Sequence, residues 1–253
     1  MSGKVTNFFK MASRLKLGSL ITFYRLKYFT KDDKNLHRFR MKNGLSLNVN
    51  KNQGDLTTLF EVFVDEDYKF GESTPEKLNI IDIGANVGYF SLYITKKFPN
   101  ANVYSFEPFP DTFTRLNEHL KLNKAVNVKP YNLAVSDFEG TSKFYSFEWT
   151  GCNTMIDGEF DESLSKVTEV NCVKFDDLRK LTGSEKFEYA KIDCEGSEYP
   201  MLLNSSDEAL KAVKKYIIEV HNSDKYSKDD LAKRFSDLGY KLQRTDNLLI
   251  AEI

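Results

Sequence analysis

The stretch IDIGANVGYF, residues 81–90, places an acidic residue two positions before the first of two glycines. The isoleucines at 80, 81 and 83 favour a β-strand, and residues 89–95 have the pattern of the first turns of a helix. A strand that passes through such a turn into a helix is typical of a βα unit that binds a small molecule. We therefore predict a ligand site at Asp82, Gly84 and Gly88.

The turn differs from the one that binds nicotinamide dinucleotides. That fingerprint has a second glycine so that the backbone approaches a pyrophosphate, and here Asn86 stands in its place, with Tyr89 in the place of the third. A positively charged ligand without pyrophosphate fits better. S-adenosylmethionine has an amino group and a sulfonium for Asp82, and a carboxylate for free N–H groups at the helix start. We predict it as the cofactor and include Asn86 in its site.

A second acidic residue strengthens this prediction. Glu107 ends the next strand, VYSFEP, and Pro108 stops that strand. An acid at this position accepts hydrogen bonds from both ribose hydroxyls of a nucleoside. The following strand ends in NLAVSD, where Asn132 and Ala134 are predicted to face the adenine ring.

Strands and helices alternate through most of the chain. We predict strands near 78–83, 102–107, 127–133, 188–193 and 215–220, and helices near 87–97, 111–123, 197–204 and 227–238. A β-hairpin at 36–50 and a helix at 54–68 capped by Asp55 come first, and two strands at 240–253 come last. This order predicts an α/β fold with a doubly wound sheet of about seven strands, parallel with a terminal antiparallel hairpin. Residues 1–53 form an extension, and 54–253 the domain that holds the cofactor.

The strand YAKIDCEGSEYPML, residues 189–202, carries the reactive end of the site. Asp193, Glu195 and Glu198 come at its carboxyl end, where ligands lie in open α/β sheets. Asp193 is placed to hold a substrate hydroxyl or to accept its proton. For Glu198 we favour the simpler role of a negative charge in the first turn of the next helix.

The next strand, IIEVHN, presents Glu219 and His221 on one face. A histidine titrates near neutral pH, so His221 is either a catalytic base or a local hydrogen-bonding group. Asp193, Glu219 and His221 together could hold a divalent cation. Without a denser ligand cluster we favour base catalysis with no metal. His37 and His119 are predicted to lie at the surface.

The composition is that of an ordinary soluble protein. Hydrophobic residues make up 41% and charged residues 29%, and 36 basic against 37 acidic residues leave a net charge of −1. This balance argues against a nucleic-acid partner. The three cysteines match no zinc-binding pattern, so we expect a reducing, cytoplasmic setting.

Two segments stand apart from the alternating pattern. Residues 1–30 carry six basic residues and no acid, and their longest uncharged run, at 17–24, is too short to span a membrane. They form either a helical layer on the domain or on a second subunit, which we favour, or a contact with an anionic membrane or a lipid-linked substrate. Residues 141–175 form a β-rich insertion that either shapes the substrate pocket or is a hairpin at a sheet edge.

The motifs together resemble the FkbM-type S-adenosylmethionine-dependent methyltransferases. The similarity covers about two thirds of the chain and includes GDLTTLFEVFVDEDY, IDIGANVGYFSLY, FEPFPDTFTRLNEHLKLN, NLAVSDFEG, FDDL, KIDCEGSEYPML and IIEVH. The resemblance implies the seven-stranded class I methyltransferase fold and methylation of an oxygen, often on a surface glycan or a natural product. It implies cofactor contacts for Asp82, Gly84, Asn86, Gly88 and Glu107, and places Asp193 and Glu195 at the reacting end.

We therefore expect an O-methyltransferase in which Asp193, assisted by His221 or Glu195, orients or deprotonates a hydroxyl of a glycan or small molecule. The alternatives are an N-methyltransferase on the same fold and a catalytically silent scaffold that binds the cofactor. One position departs from the FkbM-type pattern: after the KID motif, Asn204 stands where these proteins usually have a glycine that closes the short helix. Residues 1–30 and 146–165 are expected to determine substrate choice.

Overall fold

The computed structural model describes residues 2–31, 33–65, 78–147, 153–154, 165–245 and 247–253. The helices are α1 (Ser2–Arg14), α2 (Leu17–Phe29), α3 (Asp55–Phe60), α4 (Tyr89–Lys97), α5 (Pro110–Asn123), α6 (Leu178–Thr182), α7 (Glu198–Asn204), α8 (Asp207–Lys211) and α9 (Lys228–Asp237). The strands are β1 (Leu36–Arg40), β2 (Ser46–Asn50), β3 (Asn79–Ile83), β4 (Asn102–Phe106), β5 (Val128–Tyr131), β6 (Ala134–Ser136), β7 (Gly140–Phe147), β8 (Asn153–Thr154), β9 (Ser165–Lys174), β10 (Phe187–Ile192), β11 (Val213–Glu219), β12 (Lys241–Arg244) and β13 (Leu248–Glu252).

Among the described residues, seven strands form the main sheet, in the order β12-β13-β11-β10-β3-β4-β5. β11, β10, β3, β4 and β5 are parallel to one another, and β13 and β12 add an antiparallel edge beside β11. This confirms the predicted doubly wound sheet with its terminal hairpin. The chain runs outward from β3 in one direction and from β10 in the other, so the carboxyl ends of β3 and β10 mark a topological switch point, where such folds bind ligands.

Apolar side chains bury both faces of the main sheet. Ile80 and Val103 belong to one core cluster, whereas their neighbours Ile81 and Tyr104 belong to the other. Successive residues of a strand point to opposite faces, so a continuous apolar run is the pattern expected of a strand covered on both sides. The same register brings the last residues of β3 and β10 side by side, with Ile83 opposite Ile192.

The N-terminal helices and hairpin share the first of these clusters. Met11 of α1, Leu15 between α1 and α2, Phe23 of α2 and Phe39 of β1 are buried there with Ile80 of the sheet. The helical layer therefore packs on the domain, although a boundary at residue 53 stays a prediction. In the part of the chain that the structure describes, no helix is both long and apolar enough to cross a membrane.

The helix predicted at 54–68 has a different cap from the predicted one and changes from α-helix to π-helix along its length. α3 is capped by Gly54, whose φ is +76°, and continues as one π-helical turn over Glu61–Asp65, while residues 66–68 lie outside the described part. Asp55 is not the cap, because its carboxylate accepts the N–H of Asn50 at 2.6 Å and pairs with Arg115 of α5. The residue acts as a buried link between the hairpin and α5.

The prediction that His119 lies at the surface is wrong. It is buried on α5, where its Nε2 accepts the N–H of Asn48 at 2.7 Å and its Nδ1 lies 2.8 Å from the carbonyl oxygen of Val87. These partners require a neutral ring with the proton on Nδ1. Burial lowers the pKa of His119 to about 4. His37 is only partly exposed and lies 2.9 Å from Asp33.

The β-rich insertion forms a sheet of its own. Within the described residues its strand order is β6-β9-β7-β8, with β7 and β9 antiparallel, so the insertion is not a hairpin on the edge of the main sheet. Phe144 of β7 packs in a small cluster with Phe109 and Ala134, which follow β4 and β5. This contact supports a role for the insertion in the ligand site. Most of the predicted specificity loop lies outside the described residues.

Candidate functional site

A cleft opens at the switch point between β3 and β10, and its empty space, including the part open to solvent, is about 610 Å³. The loops after β3, β4, β5 and β10 and one strand of the insertion contribute to it. Its walls include Gly84, Asn86, Glu107, Pro108, Leu133, Ala134, Phe144, Asp193, Cys194, Glu195 and Ser197. The structure thus brings most of the predicted cofactor residues into one cavity with two of the predicted catalytic acids.

Glu107 forms the acidic part of one wall. Its Oε2 accepts the N–H of Asn86 at 2.9 Å, and its Oε1 accepts the N–H of Phe109 at 2.9 Å. Asn86 has a φ of +48°, a left-handed conformation that asparagine tolerates better than most residues. Burial raises the pKa of Glu107 to about 7, although both backbone hydrogen bonds act to lower it. Each oxygen keeps a lone pair for a further donor, as two adjacent ribose hydroxyls require.

Asp82 lies below the cleft and is fully buried. Its Oδ2 accepts the Ser91 hydroxyl at 2.5 Å, and its Oδ1 lies 3.6 Å from Nζ of Lys191. Oδ1 accepts no hydrogen bond from the described residues. The carboxylate therefore pairs with Lys191 within the protein, and its direct contact with the ligand stays a prediction.

Lys191 is a site residue that the sequence reasoning missed. From β10 its Nζ donates to the carbonyl of Gly84 at 2.8 Å and lies 3.2 Å from Oδ2 of Asp193. It therefore joins the buried acid of β3 to Asp193, the partly exposed acid that follows β10. The available signal was a lysine in the otherwise apolar strand YAKI, two positions before Asp193 and so on the same face.

The two glycines of the first motif serve packing between parts of the chain. Gly84 has a φ of +73°, and a Cβ there would lie 1.7 Å from the carbonyl oxygen of Asp193. Gly88, outside the cleft wall, has a φ of +84°, and its Cβ would lie 3.3 Å from Leu116. Gly84 thus allows the β3 and β10 loops to touch, and Gly88 allows α4 to approach α5.

Most amides of the loop before α4 donate hydrogen bonds within the chain. Those of Gly84 and Ala85 both donate to the carbonyl of Phe106, and that of Gly88 donates to Ala85. The amide of Asn86 is bound to Glu107.

Asn132 and Ala134 have different surroundings. Ala134 lines the cleft, as predicted. Asn132 instead donates its side-chain amide to the carbonyls of Glu107 and Pro108, at 2.9 and 2.8 Å. It holds the loop after β4 in place and is not part of the cleft wall.

Asp193, Glu195 and His221 come together at the other wall. Nε2 of His221 lies 3.8 Å from Oδ1 of Asp193 and 3.4 Å from Oε2 of Glu195. One potential ligand atom from each of the three lies within 4.8 Å of the others. Glu195 therefore takes the place that the sequence assigned to Glu219. Its φ of +51° is a strained, left-handed conformation for a glutamate, of the kind often found at functional sites.

Glu198 holds His221 in place. It begins α7, as predicted, but it is fully buried and accepts the N–H groups of Gly196 at 2.7 Å and of His221 at 2.8 Å. It also lies 3.2 Å from Nδ1 of His221. Burial alone would lower the pKa of His221, but the hydrogen bond to Glu198 and the charges of Glu198, Glu195 and Asp193 raise it to about 9.

His221 is therefore an imidazolium at neutral pH. A ring that already carries both protons accepts no other, which favours the predicted local hydrogen-bonding role of His221 over that of a base. Its role in this arrangement is that of a cation between three carboxylates. Asp193 remains a partly exposed acceptor, with Lys191 near one oxygen and His221 near the other.

The strand order and the cleft define a class I methyltransferase fold. Within that class, the chain belongs to the FkbM methyltransferase family, because the model of the Methyltransferase FkbM domain matches residues 82–242. This confirms the resemblance seen in the sequence, and with it S-adenosylmethionine as the cofactor of the family.

Several relatives show the same similarity. Methyltransferase sdnD of Sordaria araneosa is 27% identical over 63% of this chain and 72% of its own length. The 31-O-demethyl-FK506 methyltransferase FkbM of Streptomyces tacrolimicus is 25% identical over 73% of this chain and 82% of its own. Hexuronic acid methyltransferase AglP of Haloferax volcanii is 30% identical over 55% of this chain and 54% of its own length. A solved structure of methyltransferase FkbM from Methylobacillus flagellatus has a TM-score of 0.49 and 15% identity, covering 98% of this chain and 58% of that one.

Proposed function

We propose that this methyltransferase transfers a methyl group from S-adenosylmethionine to a hydroxyl of a sugar, in a glycan or a small natural product. The observation that carries the proposal is the position of Asp193, which faces the same cleft as Glu107 and is flanked by two cations. The printed names of two relatives, a hexuronic acid methyltransferase and a 31-O-demethyl-FK506 methyltransferase, support an oxygen acceptor. The predicted cytoplasmic location is part of this proposal.

The residues present fit the cofactor. Glu107 would accept both ribose hydroxyls, and Ala134, Leu133 and Phe144 form an apolar wall for the adenine ring. Bound there, S-adenosylmethionine supplies a methyl group on a sulfonium, and the electron pair of the broken carbon–sulfur bond stays on sulfur.

Asp193 would orient and deprotonate the acceptor. Lys191 lies 3.2 Å from its Oδ2, so we assign Oδ1 to the substrate hydroxyl. As the hydroxyl oxygen bonds to the methyl carbon, its proton passes to Oδ1, which leaves a neutral ether and a protonated Asp193. The cations Lys191 and His221 hold the Asp193 carboxylate in position before the transfer.

The test is transfer of a labelled methyl group to three substrate pools: cell-envelope glycans, nucleic acid and protein. We expect label in the glycans with the wild type, and with the Asp237→Asn control, a change at an exposed residue paired with Lys233. Asp193→Asn should lose the transfer but retain cofactor binding. Label in nucleic acid or on protein amines would replace the proposal by an N-methyltransferase, and cofactor binding without any transfer would replace it by a silent scaffold.

A chelator distinguishes two uses of the acidic wall. The cluster of Asp193, Glu195 and His221 has a donor set that suits a divalent cation as well as a protonated histidine. Transfer that persists in excess chelator supports the metal-free arrangement. Transfer that the chelator abolishes and added Mg²⁺ restores would assign these three residues to a metal ion.

A further inference from the structure

Helix α2 has two apolar faces, and the chain covers one of them. Leu20, Phe23 and Leu26 are buried against the rest of the domain. Leu17 and Ile21 lie four positions apart on the opposite side and are 72% and 60% exposed. A helix that is apolar on both sides is normally buried on both sides, so a further surface is expected to cover the second face.

Helix α1 extends this second face. Phe8 packs 5.7 Å from Phe9 and 5.5 Å from Tyr24, and Tyr24 stacks on Tyr28 at 5.9 Å, all between ring centroids. Phe29, at the end of α2, is 85% exposed. The exposed members of this surface, named here the α1–α2 apolar face, are Phe8, Phe9, Leu17, Ile21, Tyr28 and Phe29.

Positive charge borders the face. Lys16 precedes α2, and Arg25 and Lys27 lie on it, all three exposed. Arg25 comes four residues after Ile21 and three before Tyr28, which places it beside them on the helix surface. The first acidic residue of the chain is Asp32. Residues 1–31, which form the face and its borders, therefore supply basic side chains and no acidic one.

We propose that the α1–α2 apolar face binds an anionic membrane surface, with both helices lying in the plane of the interface. Exposed aromatic and aliphatic side chains bordered by lysine and arginine are the features of helices that bind there. Each helix has 13 residues, which suits lying in the interface. A second copy of the chain fits less well, because a two-fold contact would bring identical cations together with no acid from this segment to pair them.

The test is co-sedimentation of the full chain with vesicles of phosphatidylcholine alone or with about one third phosphatidylglycerol. We expect binding to the anionic vesicles that decreases steeply with added salt, and little binding to phosphatidylcholine. The double variant Ile21→Ser/Phe29→Ser should reduce the partition coefficient at least about tenfold, and Lys16→Gln/Arg25→Gln should reduce it and weaken its salt dependence. Val126→Ser, at a 93% exposed apolar residue elsewhere, is the matched control and should bind like the wild type.

Two results would overturn the proposal. One is wild-type protein that stays in solution with anionic vesicles at low salt. The other is a dimer, measured by analytical ultracentrifugation, that Ile21→Ser/Phe29→Ser converts to monomers while vesicle binding is unchanged. That result would assign the face to a second copy. The salt dependence of the wild type tests the proposal even if a variant does not fold.

Discussion

Glu107→Gln should separate cofactor binding from stability. The substitution keeps the shape of the side chain and replaces one carboxylate oxygen by an NH₂ group. That group must face the N–H of either Asn86 or Phe109, each of which now donates to the carboxylate at 2.9 Å. The substitution also removes one of the two carboxylate oxygens that we assign as acceptors for the ribose hydroxyls.

The magnitude follows from the hydrogen bonds. A bond to a charged acceptor contributes about 1.5–3 kcal/mol, and an unpaired backbone donor adds to the loss. We expect cofactor binding to weaken by about 3 kcal/mol, roughly a hundredfold in Kd.

Stability should behave differently. The pKa of Glu107 is higher in the folded chain than its ordinary 4.5, at about 7, so ionisation destabilises the free protein as the pH rises through 7. Above that pH the cost is about 3 kcal/mol. Glu107→Gln removes it, so the variant should not be less stable than the wild type at pH 8.

Isothermal titration calorimetry with S-adenosylmethionine and S-adenosylhomocysteine at pH 6 and 8 provides the test. About a tenth of Glu107 is ionised at pH 6, so the wild-type Kd should be about tenfold higher there than at pH 8, and Glu107→Gln should lose this dependence. Glu118→Gln, on the exposed side of α5, is the matched control. A Glu107→Gln variant that binds within about threefold of this control would refute the assignment of Glu107 to the ribose.

Three further predictions concern the framework of the site. Gly84→Ala should lower the free energy of unfolding, measured in denaturant, by at least about 3 kcal/mol, because the added Cβ would collide with a backbone oxygen. Gly183 has a similar φ of +71° but open space around it, so Gly183→Ala should cost only about 1 kcal/mol. Equal losses in the two variants would contradict the steric argument. Lys191→Met leaves two carboxylates without their shared cation and should cost about 3–5 kcal/mol at pH 7; thermal unfolding that matches the wild type would disprove this role. Because the pKa of His119 is lowered to about 4, this residue contributes about 3 kcal/mol of stability above pH 6.5, which is lost as the pH falls towards 4. His119→Gln should therefore flatten the fall of the unfolding free energy at acid pH. An unchanged fall in the variant would contradict this role of His119.

The sequence by itself determined the order of strands and helices and the place of the ligand site. Strand ends such as those of β3 and β10 follow from short apolar runs, and the predicted bounds agree with the structure to within one or two residues at most ends. Because ligands lie at the carboxyl ends of parallel strands, Glu107 and Asp193 could be assigned to one cleft from their positions alone.

Only the tertiary structure decided what each polar group does there. Lys191 donates to the carbonyl of Gly84, 107 positions away in the chain, and also pairs with the buried Asp82. His221 becomes a cation because Glu198, from another element, is buried against it, and His119 stays neutral because α5 is covered by the hairpin. Local patterns record which residues are polar, whereas burial and charge pairing depend on elements that meet only in the folded chain, and these set the protonation of each group.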